Sequence, residues 1–70
     1  MEVKNQVETY LGYDLVATAQ EMSRGWSWAY VIDGRIRGIN RVGTEMPDAE
    51  AALVRAMRAA RQRVEQLGEK

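Results

Sequence analysis

Residues 47–68 read PDAEAALVRAMRAARQRVEQLG, and this stretch decides the fold. Asp48 suits a helix N-cap, Glu50 adds negative charge to the first turn, and Gly68 is a natural helix stop. Between these signals, apolar residues recur at helical spacing and form one stripe about 100° wide. The stripe contains Ala49, Leu53, Ala56, Met57, Ala60, Val64 and Leu67. The stretch therefore predicts an amphipathic α-helix over residues 48–67, whose alanines leave room for bulky side chains beneath it.

Upstream of Pro47 the apolar residues follow a period of two, which is typical of β-strands. The stretches with this alternation are residues 13–22, 26–33 and 35–42. The Asp33-Gly34 pair between the last two is a strong hairpin signal. A further strand over residues 3–10 stays open as an alternative. The sequence thus predicts an α+β fold, in which an antiparallel meander of three or four strands packs against one C-terminal helix.

The pairing of the two central strands decides which face of the sheet is the core. A tight loop between them would pair Ala19 with Trp28. Ala17 would then pair with Tyr30. Large rings opposite small alanines make a level surface on which a helix can pack. We therefore expect this aromatic face, which also carries Tyr13, Leu15 and Ile32, to be the core.

The strand after the hairpin turn can take two registers. A three-residue loop with Gly34 at its end puts Ile36, Gly38 and Val42 on the aromatic face, where Trp28 would cover Gly38. The arginines of this strand, Arg35, Arg37 and Arg41, then point outward. A two-residue loop turns the strand over and places two of these arginines beside aromatic rings. We favour the first register because it leaves no arginine in the core.

The composition limits the classes of function. Residues 1–70 fit one small domain, and ten basic residues balance ten acidic ones, which argues against duplex DNA as a partner. The chain contains no cysteine and no histidine, so it lacks the usual zinc ligands and the commonest general base. Its sequence shows neither a signal peptide nor a membrane span. We expect a cytoplasmic, non-enzymatic protein without a metal, a cofactor or a membrane partner.

The aromatic run WSWAY at residues 26–30 is the first feature that suggests a function. An aromatic row beside arginines can hold single-stranded nucleic acid through base stacking and phosphate contacts. The simpler interpretation is that Trp28 and Tyr30 form the core beneath the helix. Trp26 stands at the start of the strand and is the ring most expected to be exposed.

The arginines are the second such feature. Arg35, Arg37 and Arg41 are expected to form a stripe on the outer face of the sheet, and Arg55 and Arg58 a stripe on the outer face of the helix. Solvation alone explains most such charged faces. The planar guanidinium group nevertheless suits carboxylate and phosphate partners. Together with Trp26, these five arginines form the candidate interaction surface. The outer sheet face itself is of mixed polarity, which is typical of protein contacts.

Self-association is a further expectation. A small core, an open sheet edge and an alanine-rich helix favour a homodimer, with Ala52 and Ala59 able to accept a neighbouring helix. The alternative is a monomer whose alanines serve helix propensity.

Three stretches carry a resemblance that covers most of the chain: residues 10–13 (YLGY), 25–34 (GWSWAYVIDG) and 47–52 (PDAEAA). In their order they resemble several short bacterial proteins of unknown function that pair a small antiparallel sheet with a C-terminal helix. The arrangement is also similar to the partial-sheet domain of HicB-type antitoxins. The first resemblance implies the fold and no activity.

We predict a small non-enzymatic protein-interaction module that binds a protein partner or itself. The alternative is a weak single-stranded nucleic-acid-binding protein that uses aromatic and arginine residues of the sheet.

Overall fold

The structure is a computed structural model that describes residues 2–40 and 44–68. Its elements are β1 (Val3–Tyr10), β2 (Tyr13–Met22), β3 (Gly25–Ile32), β4 (Ile36–Ile39) and α1 (Ala49–Leu67). The strands form one antiparallel sheet in the order β1-β2-β3-β4, and α1 packs mainly across β2 and β3. The α+β meander is therefore confirmed, and the strand left open at residues 3–10 is present.

The first and last hairpins turn through residues with positive φ. Leu11 and Gly12, with φ of 52° and 85°, join β1 to β2. Asp33 and Gly34, with φ of 52° and 68°, follow β3. Positive φ at both central residues is what a type I′ turn requires, and such turns match the right-handed twist of paired strands.

The loop between β3 and β4 contains three residues, because Ile32 pairs with Ile36. The N–H of Arg35 donates to the carbonyl oxygen of Ile32 at 3.0 Å, so Arg35 belongs to the turn. For this reason β3 ends at Ile32 and β4 begins at Ile36, each one residue away from the predicted boundary. The loop length is the one favoured from the sequence, but the loop ends at Arg35 and not at Gly34 as predicted.

The central hairpin pairs as predicted, with Ala17 opposite Tyr30 and Ala19 opposite Trp28. Both alanines are fully buried. The rings of Trp28 and Tyr30 are half-buried and pack against the core beneath α1. The aromatic face is therefore the core face.

Gly38 lies on the aromatic face, directly opposite Tyr30. A Cβ atom at this position would overlap the Tyr30 ring, which occupies the space above the glycine. The prediction that Trp28 covers Gly38 is thus wrong, because the register places Tyr30 and not Trp28 across from it.

The strand predicted over residues 35–42 is too long, since β4 ends at Ile39. Asn40 continues the hydrogen bonding to β3 with one backbone group and one side-chain group. Its N–H donates to the carbonyl oxygen of Trp28 at 3.0 Å, and its Oδ1 accepts from the Trp28 N–H at 3.2 Å. Met46 then exchanges two backbone hydrogen bonds of 2.8 Å with Trp26. These bonds satisfy the backbone of β3 beyond the end of β4. Arg41 and Val42 lie outside the described residues.

The helix is capped at both ends as predicted. Asp48 Oδ1 accepts a hydrogen bond of 2.7 Å from the N–H of Ala51, and Gly68, with φ of 87°, donates its N–H to the carbonyl of Val64. The buried stripe differs in part from the predicted one. Ala52, expected to flank the stripe and accept a neighbouring helix, is fully buried against the sheet, whereas Leu67 is 43% exposed.

The core lies between α1 and the aromatic face. Its largest fully buried side chains are Leu15, Ile32 and Val64. Among residues 2–40 and 44–68, no helix combines the length and the apolar character needed to cross a membrane.

Candidate functional site

The sheet face opposite α1, which we call the open face, carries a row of aliphatic side chains. Val7, Val16 and Val31 lie side by side across β1, β2 and β3, because each is in register with the next. Ile39 pairs with Ala29 in the neighbouring row. Val7 is 71% exposed and Ile39 is 77% exposed. Apolar surface on this face is thus in contact with water, although the other face of the two central strands is buried beneath α1.

Arg37 extends the valine row, because it pairs with Val31 at the β4 edge. Arg35 lies two residues earlier in the turn, and both side chains are exposed. Neither guanidinium group forms an ion pair with any described residue. The open face therefore ends in two uncompensated positive charges.

Trp26 does not join these arginines. Trp26, Trp28 and Tyr30 are alternate residues of β3, so the side chain of Trp26 lies on the aromatic face with the other two rings. Arg37 lies on the open face. Its backbone is bridged to Met46, and the residue is half-buried. The expected combination of Trp26 with the arginines of β4 is therefore not assembled, and Arg41 is outside the described residues.

Arg55 and Arg58 border a groove of about 750 Å³ between α1 and the chain that follows β4. Both arginines are exposed, and neither forms an ion pair with a described residue. The other lining residues are Trp28, Ile39, Asn40, Thr44 and Met46. These two arginines, expected as a stripe on the outer face of the helix, thus also border a groove that contains an aromatic ring.

A second groove, of about 390 Å³, contains Trp28, Ser27 and Glu45 among its lining residues. Glu45 Oε2 is buried and has no hydrogen-bond partner among the described residues. Gly25 lies close to the backbone of Met46, because a Cβ on Gly25 would approach the Met46 carbonyl oxygen to 2.7 Å. The described residues contain no group of three His, Cys, Asp or Glu side chains that could hold a metal ion.

Two polar contacts attach β1 to the helix. Arg61 forms a two-point ion pair with Glu8, with Nε 2.6 Å from Oε2, and the Tyr10 hydroxyl donates to Glu65 Oε2 at 2.7 Å. The hydrogen bonds from Arg61 hold the pKa of Glu8 below its usual value. The hydrogen bond to Glu65 raises the pKa of Tyr10. These polar contacts hold β1 beside α1, in addition to the packing of Tyr10 against the core.

The sequence reasoning missed Val7 and Ile39 on the open face and the Glu8–Arg61 pair. The valine pattern of β1 has the correct period, but only the register shows that Val7 adjoins Val16. For Ile39, the signal was its position two residues after Arg37, which places both side chains on the same face of the strand. Glu8 and Arg61 are 53 residues apart, and nothing in the local sequence links them.

Comparison with known proteins gives no similar protein: no family model, no curated protein and no solved structure matches the chain.

Proposed function

We propose that this chain is a small non-enzymatic protein-interaction module and that the open face is its contact surface. The observation that carries the proposal is the aliphatic row of the open face, largely exposed only at Val7, which ends in arginines of the β3–β4 hairpin that form no ion pair with a described residue. We further propose that it acts in the cytoplasm, a reducing compartment suited to a chain without cysteine.

The open face is in contact with water, although part of it is apolar. Antiparallel sheets commonly have polar side chains on the solvated face. Here Val7, Val16 and Val31 form a continuous apolar row instead, and Ile39 adds apolar surface in the neighbouring row at the β4 edge. Contacts between proteins typically combine an apolar centre with a polar rim in which arginine is frequent. The fitting partner is therefore a protein with an apolar patch and carboxylates placed to meet Arg35 and Arg37.

The experiment uses the purified chain to capture partners, which are then purified and measured one by one. We expect Ile39→Asp and Arg37→Glu each to weaken binding of the true partner at least about tenfold, since both lie on the proposed contact. Arg63→Glu is the matched control, because Arg63 is an exposed arginine of α1 away from the open face. Binding that survives both open-face changes in folded variants contradicts the proposal.

A second candidate function is weak binding of single-stranded nucleic acid in the groove beside α1. The specific observation in its favour is that Trp28, Arg55 and Arg58 line one groove. The half-buried ring offers one base a stacking surface. The two guanidinium groups, which form no ion pair with a described residue, can bind the phosphates on either side of that base. This site differs from the one expected from the sequence, which relied on Trp26 and the arginines of residues 35–41.

A fluorescence titration tests the second candidate. In a Trp26→Phe background Trp28 is the only tryptophan, so a short oligothymidine should quench its emission at low salt. The effect should weaken steeply as salt rises. The Arg55→Glu/Arg58→Glu variant should abolish it and Arg37→Glu should leave it unchanged. Absence of quenching at low salt excludes this function.

A further inference from the structure

The two edges of the sheet are protected to different degrees. β4 is only four residues long, and beyond it Asn40 and Met46 bond the neighbouring strand. β1 has eight residues and pairs with β2 alone among the described strands. Long, unpaired edge strands readily accept another strand. The free edge of β1 is therefore the place in this fold where a further strand can add.

The backbone direction along β1 follows from the observed hydrogen bonds. The N–H of Glu21 donates to the carbonyl oxygen of Glu2, so this opposed pair is a hydrogen-bonded one. Hydrogen-bonded pairs alternate along an antiparallel ladder, which means that even-numbered residues of β1 point their backbone groups toward β2. The odd-numbered residues point theirs away from the sheet. These are Val3, Asn5, Val7 and Thr9, and all are exposed.

We propose that β1 pairs with β1 of a second copy of this chain, antiparallel and around a two-fold axis at Gln6. In this register Val7 lies opposite Asn5 of the second copy, and Val3 lies opposite its Thr9. Every outward backbone group of these four residues then finds a partner. The result is one continuous sheet with both helices on the same side.

Charge selects this register. With Gln6 opposite Gln6, Lys4 lies opposite Glu8 of the second copy, and the symmetry makes this contact twice. A shift of two residues in one direction would place Glu2 opposite Glu8, and in the other direction it would leave Lys4 opposite Tyr10. Opposite charges across a strand pair stabilise it and like charges destabilise it. The registers next to the proposed one are therefore disfavoured.

Both charged groups are available for this contact. Among the described residues of the single chain, Lys4 forms an ion pair with Glu2 alone, at 3.9 Å, and its side chain is 51% exposed. Glu8 is bound by Arg61, yet its side chain remains 25% exposed. A carboxylate has about four acceptor sites, so it can receive a lysine in addition to the two-point contact of Arg61.

Sedimentation of the purified chain, from low micromolar concentration to about 1 mM, tests the proposal. We expect a reversible dimer. Val7→Pro should raise the dissociation constant at least about thirtyfold, because two intermolecular N–H donors are lost while the bonds from β1 to β2 stay intact. Gln6→Pro is the matched control: its N–H points toward β2, so it should lower the thermal midpoint of the fold itself.

Charge variants test the register without altering the backbone. Lys4→Glu alone and Glu8→Lys alone should each be monomeric, because each places like charges opposite one another. An equimolar mixture of the two should dimerise, since every cross-strand contact is again between opposite charges. Circular dichroism confirms that each variant is folded. A strictly monomeric wild-type chain, a folded Val7→Pro variant that still dimerises, or a mixture that stays monomeric would overturn the proposal.

Discussion

The two faces of the sheet use the same kinds of side chain in opposite ways. On the aromatic face, Leu15 and Ile32 are fully buried beneath α1. On the open face, Val7 and Ile39 are more than two-thirds exposed although they belong to the same sheet. Apolar content alone does not identify the core in this chain. What identifies it is the presence of small alanines beneath the rings and of a helix whose alanines match them.

The largest expected difference between the faces lies in stability. Leu15→Ala removes a fully buried side chain and should cost about 2–5 kcal/mol, which is a large part of the stability of so small a domain. Val7→Ala on the open face should change the free energy of unfolding by no more than about 0.5 kcal/mol. Urea unfolding of both variants measures the contrast. Equal costs would mean that the open face is covered in solution.

A smaller effect is expected where β4 meets the aromatic face. Gly38→Ala places a Cβ in the space of the Tyr30 ring and should cost about 1–3 kcal/mol. Ile39→Ala, one residue away on the open face, should cost far less. In a Tyr30→Leu background the penalty of Gly38→Ala should largely disappear, and a double-mutant cycle measures this coupling. An undiminished penalty in that background would show that Tyr30 is not its cause.

The smallest effect concerns the rim of the covered face, where Glu8 meets Arg61. Because the folded-state pKa of Glu8 is lowered, its stabilisation is full above the unfolded value near 4.5 and is lost as pH falls through the folded value. Both side chains are partly exposed, so the contribution at neutral pH is about 0.5–1 kcal/mol. Glu8→Gln should remove it, and the same change in an Arg61→Gln background, which serves as the control, should have little further effect. Thermal unfolding between pH 7 and about pH 3 measures the difference.

The contrast between the faces was largely predictable from local patterns. The period-two alternation of β3 and the alanines of β2 were sufficient to predict the Ala19–Trp28 register, and the helix caps were visible at Asp48 and Gly68. The end of β4 was not predictable, because it depends on the side chain of Asn40 substituting for backbone. Such a substitution leaves no periodic signal.

The candidate site was less predictable than the fold. Arg37 was correctly placed on the outer face, but Trp26 was grouped with it although the two residues lie on opposite faces. The residue types suggested this grouping, but the face on which each side chain lies depends on its position along the paired strands. The contacts of Glu8 and Tyr10 with α1 join residues 53 and 55 positions apart, and only tertiary structure reveals them.

This long separation has a consequence for synthesis. A ribosome adds about 5–20 residues per second, so Arg61 emerges roughly 3–10 s after Glu8. Until then the aromatic face has no helix to cover it and β1 has no cation from α1. A chain that lacked α1 would therefore carry Trp28 and Tyr30 on an uncovered sheet, and exposed apolar surface of this kind is prone to aggregate.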